Sequence, residues 1–210
     1  MKIFVFMNLT LDGVMQGPAR PDEDTRGGFK HGGWGAPYQA MPEAGEAMGN
    51  VGGLLVGRWT YEQFHKVWPE RKESPYSTWM DNIQKYVASR MLKEPLPWKN
   101  SILLKGDIVD AVAKLKSQPG KDIVIMGSGE LIQSLMQHNL IDEYVLLIHP
   151  LVLGSGRRLF PDGGAYAALR LVSSKNDGKK GSRNFNLQSC RLKSEIESSA
   201  NWQTCIRNRM

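Results

Sequence analysis

Three short stretches of this chain combine glycine, hydroxyl and guanidinium groups in arrangements able to grip phosphate. In IVIMGSGELIQSL an apolar run meets Gly127, Ser128 and Gly129, and a helical pattern opens at about Glu130 and Leu131. Such a turn leaves backbone N–H groups unpaired at the positive end of the helix dipole, and paired glycines let a pyrophosphate come close. The full dinucleotide fingerprint is not there, because Ile132 stands at the third glycine position and no acid follows about twenty residues on. A tight turn that only needs φ > 0 is the alternative reading. In GGLLVGRWTYEQF a buried strand ends at Gly57 and Arg58, and Thr60-x-x-Gln63 has the spacing of a capping box, which puts the helix start at Thr60. A cation just ahead of a helix N-terminus opposes the dipole. An anion shared by Arg58, the Thr60 hydroxyl and the helix N–H groups relieves that conflict; an exposed arginine beside an ordinary cap is the alternative.

The third stretch, KYVASRML, ends a strand with Ser89 and Arg90. Ligands of open α/β sheets bind beyond the carboxyl ends of strands, so three such ends are expected to share one crevice. An arginine against an adenosine 2′-phosphate selects NADPH over NADH.

The elements that must position these turns alternate along the chain. KIFVFMNL, GGLLVG, KYVAS, SILL, DIVIMG and EYVLLIHPLVLG have strand character, mostly as continuous apolar runs, as expected of strands covered on both faces. MPEAGEAMGN, TYEQFHKVW, DIVDAVAKLKSQ and GELIQSLMQHN have helical spacing. The alternation predicts an α/β domain with a central sheet and helices on both sides. Gly17 to Tyr38, rich in Gly and Pro, reads as a long loop of the kind that covers active sites or is disordered, and Glu70 to Ser77 as a second surface loop.

Length fits one domain. The N-terminal apolar run is too short for a signal h-region and no run approaches the roughly 18 residues of a membrane span, so a soluble, cytoplasmic protein is expected. The net charge of +6 resides wholly in the tail: from Leu169 onward nine Lys/Arg face three acids, leaving residues 1 to 168 neutral. A basic tail without aromatic interleaving reads as a solvated face, so nucleic acid is not an expected partner. Cys190 and Cys205 read as reduced bystanders. His65, His138 and His149 read as surface or packing residues, with no metal expected.

Beyond these readings, the chain resembles the dihydrofolate-reductase-like superfamily, and within it the reductase domain of the riboflavin-biosynthesis deaminase-reductase and its stand-alone relatives. The resemblance spans about residues 1 to 172 and rests on N-L-T-L-D-G at Asn8 to Gly13, G-R-W-T-Y-E at Gly57 to Glu62, S-R at Ser89 and Arg90, M-G-S-G-E-L at Met126 to Leu131, and H-P-L-V-L-G-S-G-R-R-L-F at His149 to Phe160. It implies a three-layer α/β/α fold around a mixed, mostly parallel sheet, NADPH as cofactor, a homodimer, and hydride transfer to a pterin-, pyrimidine- or other heterocyclic small molecule. Gly57, Arg58, Thr60, Ser89, Arg90 and Gly127 to Leu131 (Gly127, Ser128, Gly129, Glu130, Leu131) match cofactor-contacting segments. Asn8, Asp12 and the Gly154 to Arg157 loop match substrate-side segments. Asp12 is the candidate catalytic acid, with a turn-forming Asp-Gly pair as the equal alternative. Trp34 is a candidate to stack on the substrate or to anchor its loop.

The riboflavin enzymes carry a lysine where this chain has Phe6 and a glutamate where it has Met126, so a phosphoribosylamino-uracil substrate loses its matching charges here unless the neighbouring Arg157 and Arg158 substitute for the lysine. A non-catalytic nucleotide- or antifolate-binding module of the same fold is therefore the alternative function. Residues 173 to 210 are expected to be an atypical basic tail outside the core, in which only Phe185, Leu187 and Cys190 could line a strand face.

Overall fold

The computed structural model describes residues 1–38, 48–71, 74–164, 166–177 and 181–190. Most of the helix expected over 41–50 lies outside these residues, as do Cys205 and the chain beyond 190. Eight strands form one sheet: β1 (Ile3–Thr10), β2 (Val51–Gly57), β3 (Gln84–Ala88), β4 (Ser101–Leu104), β5 (Asp122–Met126), β6 (Glu143–His149), β7 (Leu169–Asp177) and β8 (Ser182–Ser189). Their order is β4-β3-β2-β5-β1-β6-β8-β7. The pairs from β4 through β6 are parallel, and β8 runs antiparallel to both β6 and β7. The sheet is thus mixed and mostly parallel, as expected.

Period-two alternation along β1 explains the layers. Ile3, Val5, Met7 and Leu9 bury against α3 (Ile108–Ser117) and α4 (Gly129–Gln137), contacting Val112, Leu115, Ile132 and Leu135 among others. Phe4 and Phe6 point the other way, into a core with Tyr61 of α1 (Arg58–His65) and Met80 of α2 (Pro75–Asn82). Helices therefore cover both faces, which is why the central strands can be apolar throughout. Among the described residues no helix is long and apolar enough to cross a membrane.

Three local expectations need correction. α1 begins at Arg58 directly after β2, with extended Gly57 as its N-cap, so Thr60 is the third helical residue and makes no cap bond. Residues 74 to 77 open α2: the Ser74 hydroxyl accepts from Ser77 N–H at 3.2 Å and Pro75 occupies the first turn, where its missing N–H costs nothing. The apolar run of β6 stops at His149, because Pro150 cannot donate to a ladder.

The boundary at 172 falls inside β7. The described residues after it complete a hairpin, with Tyr144 and Leu146 of β6 in register with Leu187 and Phe185 of β8. Within β8 the residues from Asn184 to Gln188 alternate polar and apolar, and Leu187 packs on the core face. At its outer edge β7 leaves Leu171 and Val172 about half exposed.

Candidate functional site

A cleft of about 880 Å³ opens beyond the carboxyl ends of β1 to β5, within the roughly 300–1,000 Å³ usual for ligand sites. Gly57, Arg58, Thr60, Ser89, Arg90, Gly127, Ser128, Gly129, Glu130 and Leu131 all line it, as do Asn8 and Arg157. The three strand ends singled out from the sequence therefore share one cleft.

What joins two of them is a side chain. Ser128, at φ +63°, accepts from Gly57 N–H at 2.8 Å and donates to Thr60 Oγ1 at 2.9 Å. With its hydroxyl so engaged, Ser128 does not cap α4, and the N–H groups of Gly129, Glu130 and Leu131 have no intrahelical acceptor. Gly127, at φ +63°, would bring a Cβ within 3.0 Å of Thr60. The backbone is thus bared where only glycine fits. The terminal methyl of Met15 lies over Gly129, in the space a Cβ would take, and this flexible side chain must turn aside before an anion reaches the helix end.

Six arginines and three carboxylates line the cleft, giving it a positive balance. Asp24 holds Arg26 at 2.5 Å, Glu130 pairs with Arg157, and Arg58 stands 3.4 Å from Glu62. Among the described residues Arg90 has no carboxylate partner. The Ser89 hydroxyl accepts from the N–H groups of Met91 and Leu92, both at 3.0 Å, shaping the turn that presents Arg90.

The rest of the wall is aromatic and apolar. Phe6 and Met126, register partners across β1 and β5, form its floor beside Trp59, Phe64, Trp68, Tyr76 and Met80. Tyr76 is buried enough to push its phenol up to about 12, and its O–H reaches Met126 Sδ at 3.8 Å. α2 supplies Tyr76 and Met80, so the surface-loop reading of 70–77 concealed part of the wall; the Ser-Pro pair that opens the helix was the signal available.

The long loop is held in place by side-chain hydrogen bonds. Gln16, nearly fully buried, donates to Asp24 O (3.2 Å) and Arg26 O (2.9 Å), accepts from Arg157 N–H (3.0 Å), and offers its own carbonyl to Trp34 Nε1 (2.7 Å). Arg26 then lies over Trp59, 4.4 Å from the ring centroid, closing the loop against α1. Burial opposes the charge of Asp24, but its bonds to Arg26 outweigh this and hold the carboxyl below its ordinary value.

Three of the expected substrate-side residues do not reach the cleft wall. Asp12 accepts from Thr10 Oγ1 (2.6 Å), Gly154 N–H (2.9 Å) and Leu153 N–H (3.2 Å). Burial raises its carboxyl, and these bonds, the Thr10 hydroxyl first, more than reverse the effect. An anion bound this fully is a latch between the β1 turn and the 153–154 loop, which is the turn-forming alternative for Asp12. Gly154 is exposed and serves as the donor to that latch. Trp34 is buried and pins the loop.

The RibD C-terminal domain matches residues 1–181. The uncharacterized Bacillus subtilis (strain 168) protein YyaP is 32% identical over 126 residues, 58% of this chain and 66% of YyaP. Its counterpart YwjB is 39% identical over 67 residues, 32% of this chain and 38% of YwjB. A crystal structure from Shewanella sp. PV-4, of a protein assigned by name to riboflavin biosynthesis, superposes with a TM-score of 0.67 at 25% identity, covering 91% of this chain and all of that one. The fold is accordingly the reductase-like, dihydrofolate-reductase-like one, and the chain belongs to the RibD C-terminal domain family.

Proposed function

We propose that this protein is an NADPH-dependent reductase that transfers hydride to a flat, neutral heterocycle of pterin or pyrimidine type. The observation that carries the reading is the meeting of the Gly57 to Thr60, Ser89 to Arg90 and Gly127 to Leu131 segments in one cleft with the aromatic wall around Phe6. The fit to a dinucleotide rests on the uncapped α4 terminus, the glycine backbone beneath Thr60, and Arg90 with no carboxylate opposite it. Gly127 to Leu131 would hold the diphosphate, and Arg58 and Arg90 the 2′-phosphate. The bound cofactor supplies the hydride. The chain's own contribution is placement: Trp59, Tyr76 and Phe6 clamp a planar ring, while the Gln16-braced loop and the Arg26–Trp59 contact exclude water.

Phe6 and Met126 favour a neutral ring over an anionic one. At 3% and 8% exposure they offer no counter-charge to a phosphoribosyl substrate. Loss of NADPH absorbance across a panel of pterins, pyrimidines and flavins tests the reading. Turnover of a neutral member is expected; cofactor binding without turnover of any would favour a binding module instead.

A further inference from the structure

One buried polar chain runs from the C-terminal hairpin to the cleft. His149, fully buried at the end of β6, has Nδ1 2.8 Å from Ser182 Oγ of β8 and Nε2 2.9 Å from Asn8 Oδ1 of β1. Trp34 and Tyr38 enclose the ring at centroid distances of 5.5 and 4.9 Å. A carboxamide oxygen can only accept, so Nε2 carries the proton, and Nδ1 of the neutral ring accepts from the Ser182 hydroxyl. With Asn8 Oδ1 facing the ring, this tautomer gives the chain one polarity. It ends at Asn8 Nδ2, which has no protein partner among the described residues, on a side chain that lines the cleft two positions along β1 from Phe6.

We infer that His149 is a positioning residue that locks the Asn8 amide with its NH₂ toward the cleft, making Asn8 a donor that selects heterocycles presenting a carbonyl oxygen or unprotonated ring nitrogen. Burial supports this by pushing the His149 pKa down to about 4, so the ring is neutral in ordinary buffers and Nδ1 stays an acceptor. A doubly protonated ring would donate from Nδ1 to Ser182 and still from Nε2 to Asn8 Oδ1, so the amide keeps this orientation in either charge state. The polar strand β8 thereby gains a task, since the Ser182 hydroxyl gives the unprotonated Nδ1 a donor from outside the cleft. It deepens the reductase reading and rests on it only for the identity of the neighbouring cofactor.

Nitrogen-15 NMR of the native chain reads the tautomer directly. Protonation at Nε2 with an unprotonated Nδ1 is expected, and protonation at Nδ1 would overturn the inference. Binding then uses two bicycles of one fused-ring skeleton, quinazoline-2,4-dione with carbonyl acceptors and naphthalene without them, each with and without NADPH. The native chain is expected to favour the dione, and Asn8→Asp, which replaces the donor by an acceptor, to lower that preference about tenfold. His149→Leu should lower it comparably, while His149→Gln, which keeps an N–H donor for Asn8, should retain most of it. Should His149→Leu fail to fold, the native tautomer and Asn8→Asp still decide. An unchanged preference in Asn8→Asp, or no preference in the native chain, would overturn the inference. Failure of NADPH to bind while the dione preference and tautomer hold would instead count against the reductase reading alone.

Discussion

The Ser128 hydroxyl accepts from the N–H of Gly57, 71 residues earlier in the chain, at 2.8 Å. This bond ties the turn after β5 to the turn after β2, and the same oxygen donates onward to Thr60. Ser128→Ala leaves a partly buried N–H without its acceptor and should cost about 1–2 kcal/mol. Urea unfolding checks the stability, and an NADPH titration should show weaker binding because the two turns are no longer held in register.

Phe6 and Met126 face each other as register partners, both buried. Phe6→Lys places an unpaired ammonium in that floor and should destabilise the chain by about 3 kcal/mol or more. Adding Met126→Glu supplies a partner across the strand pair, so the double variant should lose less than the two single losses added together. Thermal unfolding of the four chains gives the coupling directly.

His149 makes stability depend on pH. Its folded pKa is pushed down to about 4 from an ordinary 6.5 by burial, so the unfolded chain binds the proton first as pH falls. The groups around the ring, Asn8, Ser182, Trp34 and Tyr38, carry no charge in that range. Stability from this group is therefore full above about pH 6.5, declines between about 6.5 and 4, and is level below, a total of roughly 3 kcal/mol. Unfolding free energies near pH 7 and pH 4 should differ by this contribution, and His149→Gln should remove it.

Gln16 braces the long loop through Asp24, Arg26, Trp34 and Arg157. Gln16→Ala removes three side-chain bonds and should raise hydrogen exchange across residues 17–38 while the sheet stays protected. The local opening free energy should fall by about 2–3 kcal/mol.

Much of this was legible in the sequence because the relevant signals are local. β1, β5 and the start of β6 read as strands since both their faces are covered, and the Gly127 to Gly129 turn declares itself by composition. Gathering three strand ends into one cleft followed from sheet topology. What stayed hidden depends on distant partners. Thr60 has the spacing of a cap, yet its hydroxyl is taken by Ser128; Asp12 has the makings of an acid, yet two backbone amides from the 153–154 loop consume it. β8 holds only two apolar residues, Phe185 and Leu187, between asparagines, so its composition disguised a strand that pairs with β6. His149 looked inert alone, since Asn8 is 141 residues away and Ser182 is 33.

The central claim is a cofactor cradle with a preference for the 2′-phosphate, and paired titrations of NADPH and NADH by quenching of Trp59 and Trp68 fluorescence test it most directly. The native chain should bind NADPH at least about tenfold more tightly than NADH, and the Arg58→Ala, Arg90→Ala double variant should lose most of that difference while keeping its NADH affinity. Equal affinity for the two nucleotides in the native chain, or a preference untouched by removing both arginines, would contradict it.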